Sequence, residues 1–226
     1  SAASDVYKRQ RPLLMSLMHQ RDNGGITEEE YIKIIDFLYK FHICYTIICN
    51  GTTNKLERII YSMSVEIENN YAKHSLDKLV DDLKDKIPDK KLFLINFKQI
   101  GYSHHKNFFN DESNKKQVES ILRIYEKYLG SAAWQLNFTI EHILPDSQGS
   151  QNAIIGNLIP LEEKLNNKIK DWDLKDKLDV YGKESAFASA RKFVERYGMN
   201  PEKFNPEKRT EYMAELFYDQ ILKIEK

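Results

Sequence analysis

Between Trp134 and Pro160 the chain abandons the apolar spacing that governs everything before it, and this switch limits the folds open to it. Upstream, apolar residues recur every three or four positions, the spacing of one buried helix face. Thr27 with Glu30 has the form of a capping box, and Tyr31, Ile34, Ile35, Leu38 and Phe41 continue the pattern. A helix is therefore expected from Thr27 to Cys49, stopped by Asn50-Gly51. A second begins near Asn54, with Leu56, Ile59, Ile60 and Met63 on one side. Ser75 reads as the cap of a third, which carries Leu76, Leu79, Val80 and Leu83 and ends before Pro88. A fourth over 91–100 and a fifth over 114–129 complete a helical region spanning residues 11–130.

After Gly130 the character changes. Residues 134–144 are rich in aromatic and β-branched side chains and stop at Pro145, the signature of a strand. A polar turn, DSQGSQ (146–151), leads to a second short apolar run over 153–160. A helix then opens near Leu161, with Glu162 and Glu163 in its first turn, where the helix dipole favours negative charge. Two more helices are expected, over 186–197 and 207–224, the latter capped by Asn205 with Pro206 in its first position. The fold class predicted is mainly α, of the α+β kind: a helical region, then a ββα core with C-terminal helices over 131–226.

Composition excludes several function classes. No apolar run approaches the ~20 residues a membrane span needs. Lys+Arg and Asp+Glu cancel at 34 each, so no overall positive field draws the 226-residue chain to nucleic acid; such a role must come from local chemistry. The two cysteines, Cys44 and Cys49, form no C-x-x-C pair, so a zinc knuckle is not expected. They read as buried, reduced thiols of a cytoplasmic protein. The opening SAASDVYKRQ lacks the apolar middle of a signal peptide. It resembles a recurrent translated-adapter artefact, so residues 1–10 are set aside, and the native chain is expected to extend upstream.

Against this background the stretch FTIEHILPDSQGSQNAIIGNLIPLEEKLNNKIK stands out. An acid and a histidine, Glu141-His142, interrupt an apolar strand. Fourteen residues intervene before Asn157, and eight more before Asn166. A single polar residue in such a place is ordinarily a turn or a satisfied core group, and His42 in the first helix is read that way, bonded to backbone. The His104-His105 pair in a polar loop is a weak metal candidate. Four matched residue types on a strand–strand–helix pattern are much harder to obtain by accident.

This set resembles the HNH endonuclease motif on a ββα-metal finger. The wording EHILP, IGNLIPL and LN is more similar still to the C-terminal nuclease domain of GmrSD-type, modification-dependent restriction enzymes. The segments FHICYTIICN, LERIIYSM and FNPEKRTEYMAELFYDQI also resemble that family's flanking regions. The resemblance implies a divalent-metal-dependent endonuclease that hydrolyses DNA phosphodiesters in anti-phage defence. It further implies modified phage DNA as target and an upstream, ParB-like nucleotide-handling domain.

The residue types suit that chemistry. Phosphodiester hydrolysis needs a base for the attacking water and a cation for charge on the leaving oxygen. His142 is the expected base, because its pKa lies near neutrality. Glu141 and Asn166 offer the hard oxygens that suit Mg²⁺ or Mn²⁺, with Asn167 the alternative to Asn166. By resemblance, Asn157 ties the connection between the strands and positions His142. One objection stands: neighbours on a regular strand point to opposite faces, so Glu141 and His142 share a site only if the strand ends there. Lys168 and Lys164, with Lys170 beside them, could contact phosphates or form a solvated helix face. Lys177 and Tyr181 sit where the family repeats similar types, and Arg209 binds either a carboxylate of the fold or DNA. From Glu141 onward 14 basic and 16 acidic side chains give a net charge of −2, unfavourable for strong non-specific DNA binding. Two rival readings remain: an HNH enzyme acting on RNA or on DNA without selection, and a non-catalytic helical binding or assembly module with a degenerate finger.

Overall fold

The structure, a computed structural model, describes residues 2–52, 54–103, 111–170 and 172–223. The fold is mainly α with one two-stranded sheet, an α+β arrangement. Two compact units divide the chain: one takes it up to Phe93, with the stretch from Leu222, and the other takes Leu94–Ile221. No helix among the described residues is long and apolar enough to cross a membrane.

The first unit is built on helices α1 (Ala2–Asp22), α2 (Glu28–His42), α3 (Asn54–Asn70) and α4 (His74–Lys84). The capping box forms as expected: the Thr27 hydroxyl accepts from the Glu30 N–H, and the Glu30 carboxylate accepts from the Thr27 N–H. From Ile43 to Ile48 the helix continues as a π-helical turn. α1 packs on α3, burying Leu13 and Leu17 beside Leu56, Ile60, Met63 and Ile67. Ser75 is not the cap of α4. It lies inside the helix, where its hydroxyl donates to Glu66 Oε1 at 3.0 Å. Cys44 is buried, Cys49 only half-buried, and neither is in a disulfide. His42 has no backbone bond at its buried Nδ1.

The second unit holds helix α6 (Glu112–Tyr128), strands β1 (Thr139–His142) and β2 (Leu158–Leu161), and helices α7 (Glu163–Ile169), α8 (Leu174–Lys183), α9 (Ala188–Tyr197) and α10 (Pro206–Leu216). Helix α5 (Lys90–Phe97) crosses the division between the units. The strands are antiparallel, with Glu141 opposite Ile159 and His142 opposite Leu158. β1 is much shorter than the run 134–144 suggested. Ala132–Gln135 is a 3-10 turn, and Arg123 takes the carbonyls of Trp134 and Leu136, so neither enters the ladder. β2 is shortened likewise. Its lead-in pairs with the segment before Tyr102, through Tyr102 N–H to Ala153 O and Ile155 N–H to Ile100 O.

Every residue of β2 is buried, and Ile159 and Leu161 join Ile143, Ile169, Tyr181, Phe187 and Phe193 in one core. Three polar devices fix the helices around it. Buried Glu126 of α6 accepts from the Ala188 and Ser189 N–H groups that open α9. Asn205 caps α10 by accepting from Lys208 N–H, as expected. Arg209 of α10 binds neither a carboxylate nor an open surface: buried, it donates to the carbonyls of Gly156 and Leu158. Gly156 is held so close to α10 that a Cβ there would collide with Pro206 O and Thr210. The final helix gives way at Phe217 to a π-helical turn ending at Leu222, and its expected end at residue 224 lies outside the described residues, as does the His104-His105 pair.

Candidate active site

A cleft of about 430 Å³ opens beside β1, lined by Tyr102, by Lys115 and Glu119 of α6, by Glu141, His142 and Asp146, and by Glu163, Asn166, Asn167 and Lys170. It gathers segments far apart in sequence, and every lining residue belongs to the second unit. His142 is the last residue of β1, and one further bond, from the Ile143 N–H to the Asn157 carbonyl, follows it across the strands.

His142 is buried, at 6% exposure, and its Nε2 lies 2.9 Å from the Tyr102 carbonyl oxygen. A carbonyl only accepts, so this partner assigns the proton to Nε2 and makes Nδ1 the basic nitrogen. Asp146 Oδ2 lies 3.8 Å from the same Nε2 and accepts from the Ser103 hydroxyl at 2.9 Å.

Glu141 is 3% exposed and is gripped from α8. Lys177 Nζ and the Tyr181 hydroxyl both donate to its Oε1, each at 2.7 Å. Neither uses Oε2. Burial pushes the Glu141 carboxyl above the usual carboxylate range, and the Lys177 charge is the strongest influence pulling it back. We take the ion pair as charged, because a neutral acid would leave a fully buried ammonium uncompensated. Burial and the neighbouring carboxylate push the Tyr181 phenol well above its ordinary value, so it acts as a donor.

Asn166 lies on α7, and its Nδ2 donates back to Thr139 Oγ1 at 2.9 Å and to Ile140 O at 3.1 Å. Both bonds use the amide nitrogen, which leaves Oδ1 outside them. Asn157 is fully buried and does not line the cleft; it binds the main chain of Leu144 and Asn152 in the connection between the strands.

Of the three candidate lysines, two lie outside the cleft. Lys168 donates to both oxygens of Glu184 on α8, and Lys164 is exposed on α7; neither lines the cleft. Lys170 does line it, joined by Lys115 of α6. Lys115, Glu119 and Tyr102 escaped the sequence reading, since nothing in their local pattern marks them as neighbours of β1. α8 escaped it too. Leu174, Leu178 and Tyr181 have helical spacing, but Lys177 sits in the middle of that face and masks it.

Among the described residues, no group of three or more His, Cys, Asp or Glu side chains could hold a metal ion. Comparison with curated proteins and with solved structures gives no match. A family model does match, over residues 74–216, which takes in α4 to α10 and with them both strands and the whole cleft. Over that span, nearly two-thirds of its length, the chain belongs to the family of GmrSD restriction endonucleases, C-terminal domain.

Proposed function

We propose that this chain is an HNH-type endonuclease that hydrolyses DNA phosphodiester bonds with a divalent cation, Mg²⁺ or Mn²⁺, in restriction of modified phage DNA in the cytoplasm. The observation that carries the reading is the histidine: His142 Nε2 is bound to the Tyr102 carbonyl in a cleft that Glu141 and Asn166 also line. With the proton on Nε2, Nδ1 is the nitrogen to which this reading gives the general-base role.

The donors fit a hard cation. Glu141 Oε2 takes no part in the bonds from Lys177 and Tyr181, and Asn166 Oδ1 takes none in those to Thr139 and Ile140. Two protein oxygens, with water and phosphate in the other positions, suit the octahedral shell of Mg²⁺. The cleft also needs a cation. Four carboxylates line it, Glu119, Glu141, Asp146 and Glu163, against Lys115 and Lys170, and even with Lys177 paired to Glu141 the balance stays negative and repels a polyanion. Bound there, the cation would supply charge stabilisation for the leaving oxygen. Asn157 keeps the connection behind His142 in place, and Lys115 with Lys170 would orient the phosphate chain.

Cleavage of plasmid DNA, unmodified and hydroxymethylated or glucosylated, with Mg²⁺ or Mn²⁺ tests the proposal. Cleavage abolished both by EDTA and in His142→Ala is the expected result. A folded chain that cuts no DNA under any of these conditions would point instead to a non-catalytic binding module.

A further inference from the structure

We infer that Lys177 and Tyr181 of α8 are positioning residues: together they set the rotation of the Glu141 carboxylate and the direction in which the end of β1 leaves the ladder. The inference rests on the metal site proposed above and assigns it a supporting shell.

Lys177 is 0% exposed and sits in the buried face of α8, beside Leu178 and Tyr181. A buried ammonium is costly unless paired and hydrogen-bonded. Apolar residues of similar volume often replace a buried ion pair at no loss of stability, so packing alone is a weak reason for a lysine here. What the lysine does contribute is geometric. Its Nζ donates to Glu141 Oε1 at 2.7 Å and to the His142 carbonyl at 2.8 Å. One cation thus holds the side chain of the first site residue and the main chain of the second.

This resolves the strand problem. Adjacent residues of a regular strand face opposite ways, yet both Glu141 and His142 line the cleft. The strand ends at His142, and the Lys177 bond to its carbonyl holds the chain there. Tyr181, one turn further along α8, adds a second donor to Glu141 Oε1 at 2.7 Å. Two donors on one oxygen stop the carboxylate from exchanging its oxygens, so Oε2 is the one offered to a cation. Partners that orient a metal ligand are commonly worth roughly 10–100-fold in metal affinity.

The test is Mn²⁺ binding to the metal-stripped full chain, followed by the electron paramagnetic resonance signal of free Mn²⁺, with circular dichroism melting in parallel. Wild type is expected to bind and Glu141→Gln to lose binding. Lys177→Met and Tyr181→Phe, folded, are each expected to bind at least about tenfold more weakly. Wild-type affinity in both folded variants would make the pair a packing feature and overturn the inference alone. If Lys177→Met fails to fold, Tyr181→Phe decides, because it removes a single hydroxyl. Binding unchanged in Glu141→Gln, or absent in wild type, would instead overturn the metal site and this inference with it.

Discussion

Asn157 holds Leu144 by both main-chain groups: its Oδ1 accepts from the Leu144 N–H at 2.9 Å and its Nδ2 donates to the Leu144 carbonyl at 2.7 Å. The same nitrogen also donates to Asn152 O at 2.7 Å. Asn157→Ala would strand one donor and two acceptors in the interior, each at a cost of about 1–3 kcal/mol. We expect urea unfolding to show a loss of roughly 3 kcal/mol or more. Asn157→Asp should do no better, since a carboxylate cannot donate to either carbonyl and adds a buried charge. A loss under about 0.5 kcal/mol, the size of an ordinary surface substitution, would mean that the clamp is dispensable.

That clamp marks where the sequence was legible and where it was not. The Thr27–Glu30 box and the Asn205 cap could be read because each closes within a few residues. The length of β1 could not, because its partner β2 sets it, and β2 is itself cut short where Ala153 and Ile155 pair with the segment before Tyr102. The adjacent pair Glu141-His142 and the asparagines announced themselves by polarity in an apolar run. Their partners did not: nothing local marks Lys177, at a position where the family repeats a similar type, as a donor to the His142 carbonyl thirty-five residues upstream. For Lys168 the sequence leaves phosphate contact and a solvated, acid-paired helix face both open, because Glu184, 2.7 Å away, lies on the next helix.

The lysines separate by salt dependence. Lys115 and Lys170 line the cleft, whereas Lys168 is engaged by Glu184 at the surface. Each phosphate contact removed lowers the slope of log K against log salt by about 0.9 on duplex DNA. Lys115→Ala and Lys170→Ala should each flatten the slope by about that amount, and Lys168→Ala should leave it unchanged. Duplex binding titrated over a range of salt, in EDTA to prevent cleavage, reads this directly. A flattened slope for Lys168→Ala alone would move the DNA path to the α7–α8 surface.

Metal binding should be visible as stability. A ligand that binds only the folded state, at a hundredfold over its dissociation constant, stabilises by about 2.7 kcal/mol. Saturating Mn²⁺ should raise the melting temperature of wild type, and EDTA should reverse the rise. Asn166→Ala should abolish the Mn²⁺ response while changing the metal-free melting point far less. If Asn167→Ala removes the response and Asn166→Ala keeps it, the amide ligand is Asn167.

Stability in EDTA should carry a signature of Glu141. Burial raises its folded-state pKa above the unfolded value. A group shifted this way contributes stability that is fully present below the unfolded carboxyl pKa and lost as pH rises through the folded one. Wild type measured against Glu141→Gln by urea unfolding should therefore lose relative stability across that acid window as pH increases. A difference that grows with pH instead would show Lys177 depressing the carboxyl more than burial raises it.

The partner of His142 Nε2 is a main-chain carbonyl, at Tyr102. No side-chain substitution at position 102 can delete it. Proline alone is barred there, since the Tyr102 N–H is committed to Ala153 O. The proton arrangement of His142 is thus insulated from point mutation at its own contact, and it answers to the course of the backbone through 100–103. Inheritance can alter the Tyr102 ring without touching the carbonyl that orients the histidine.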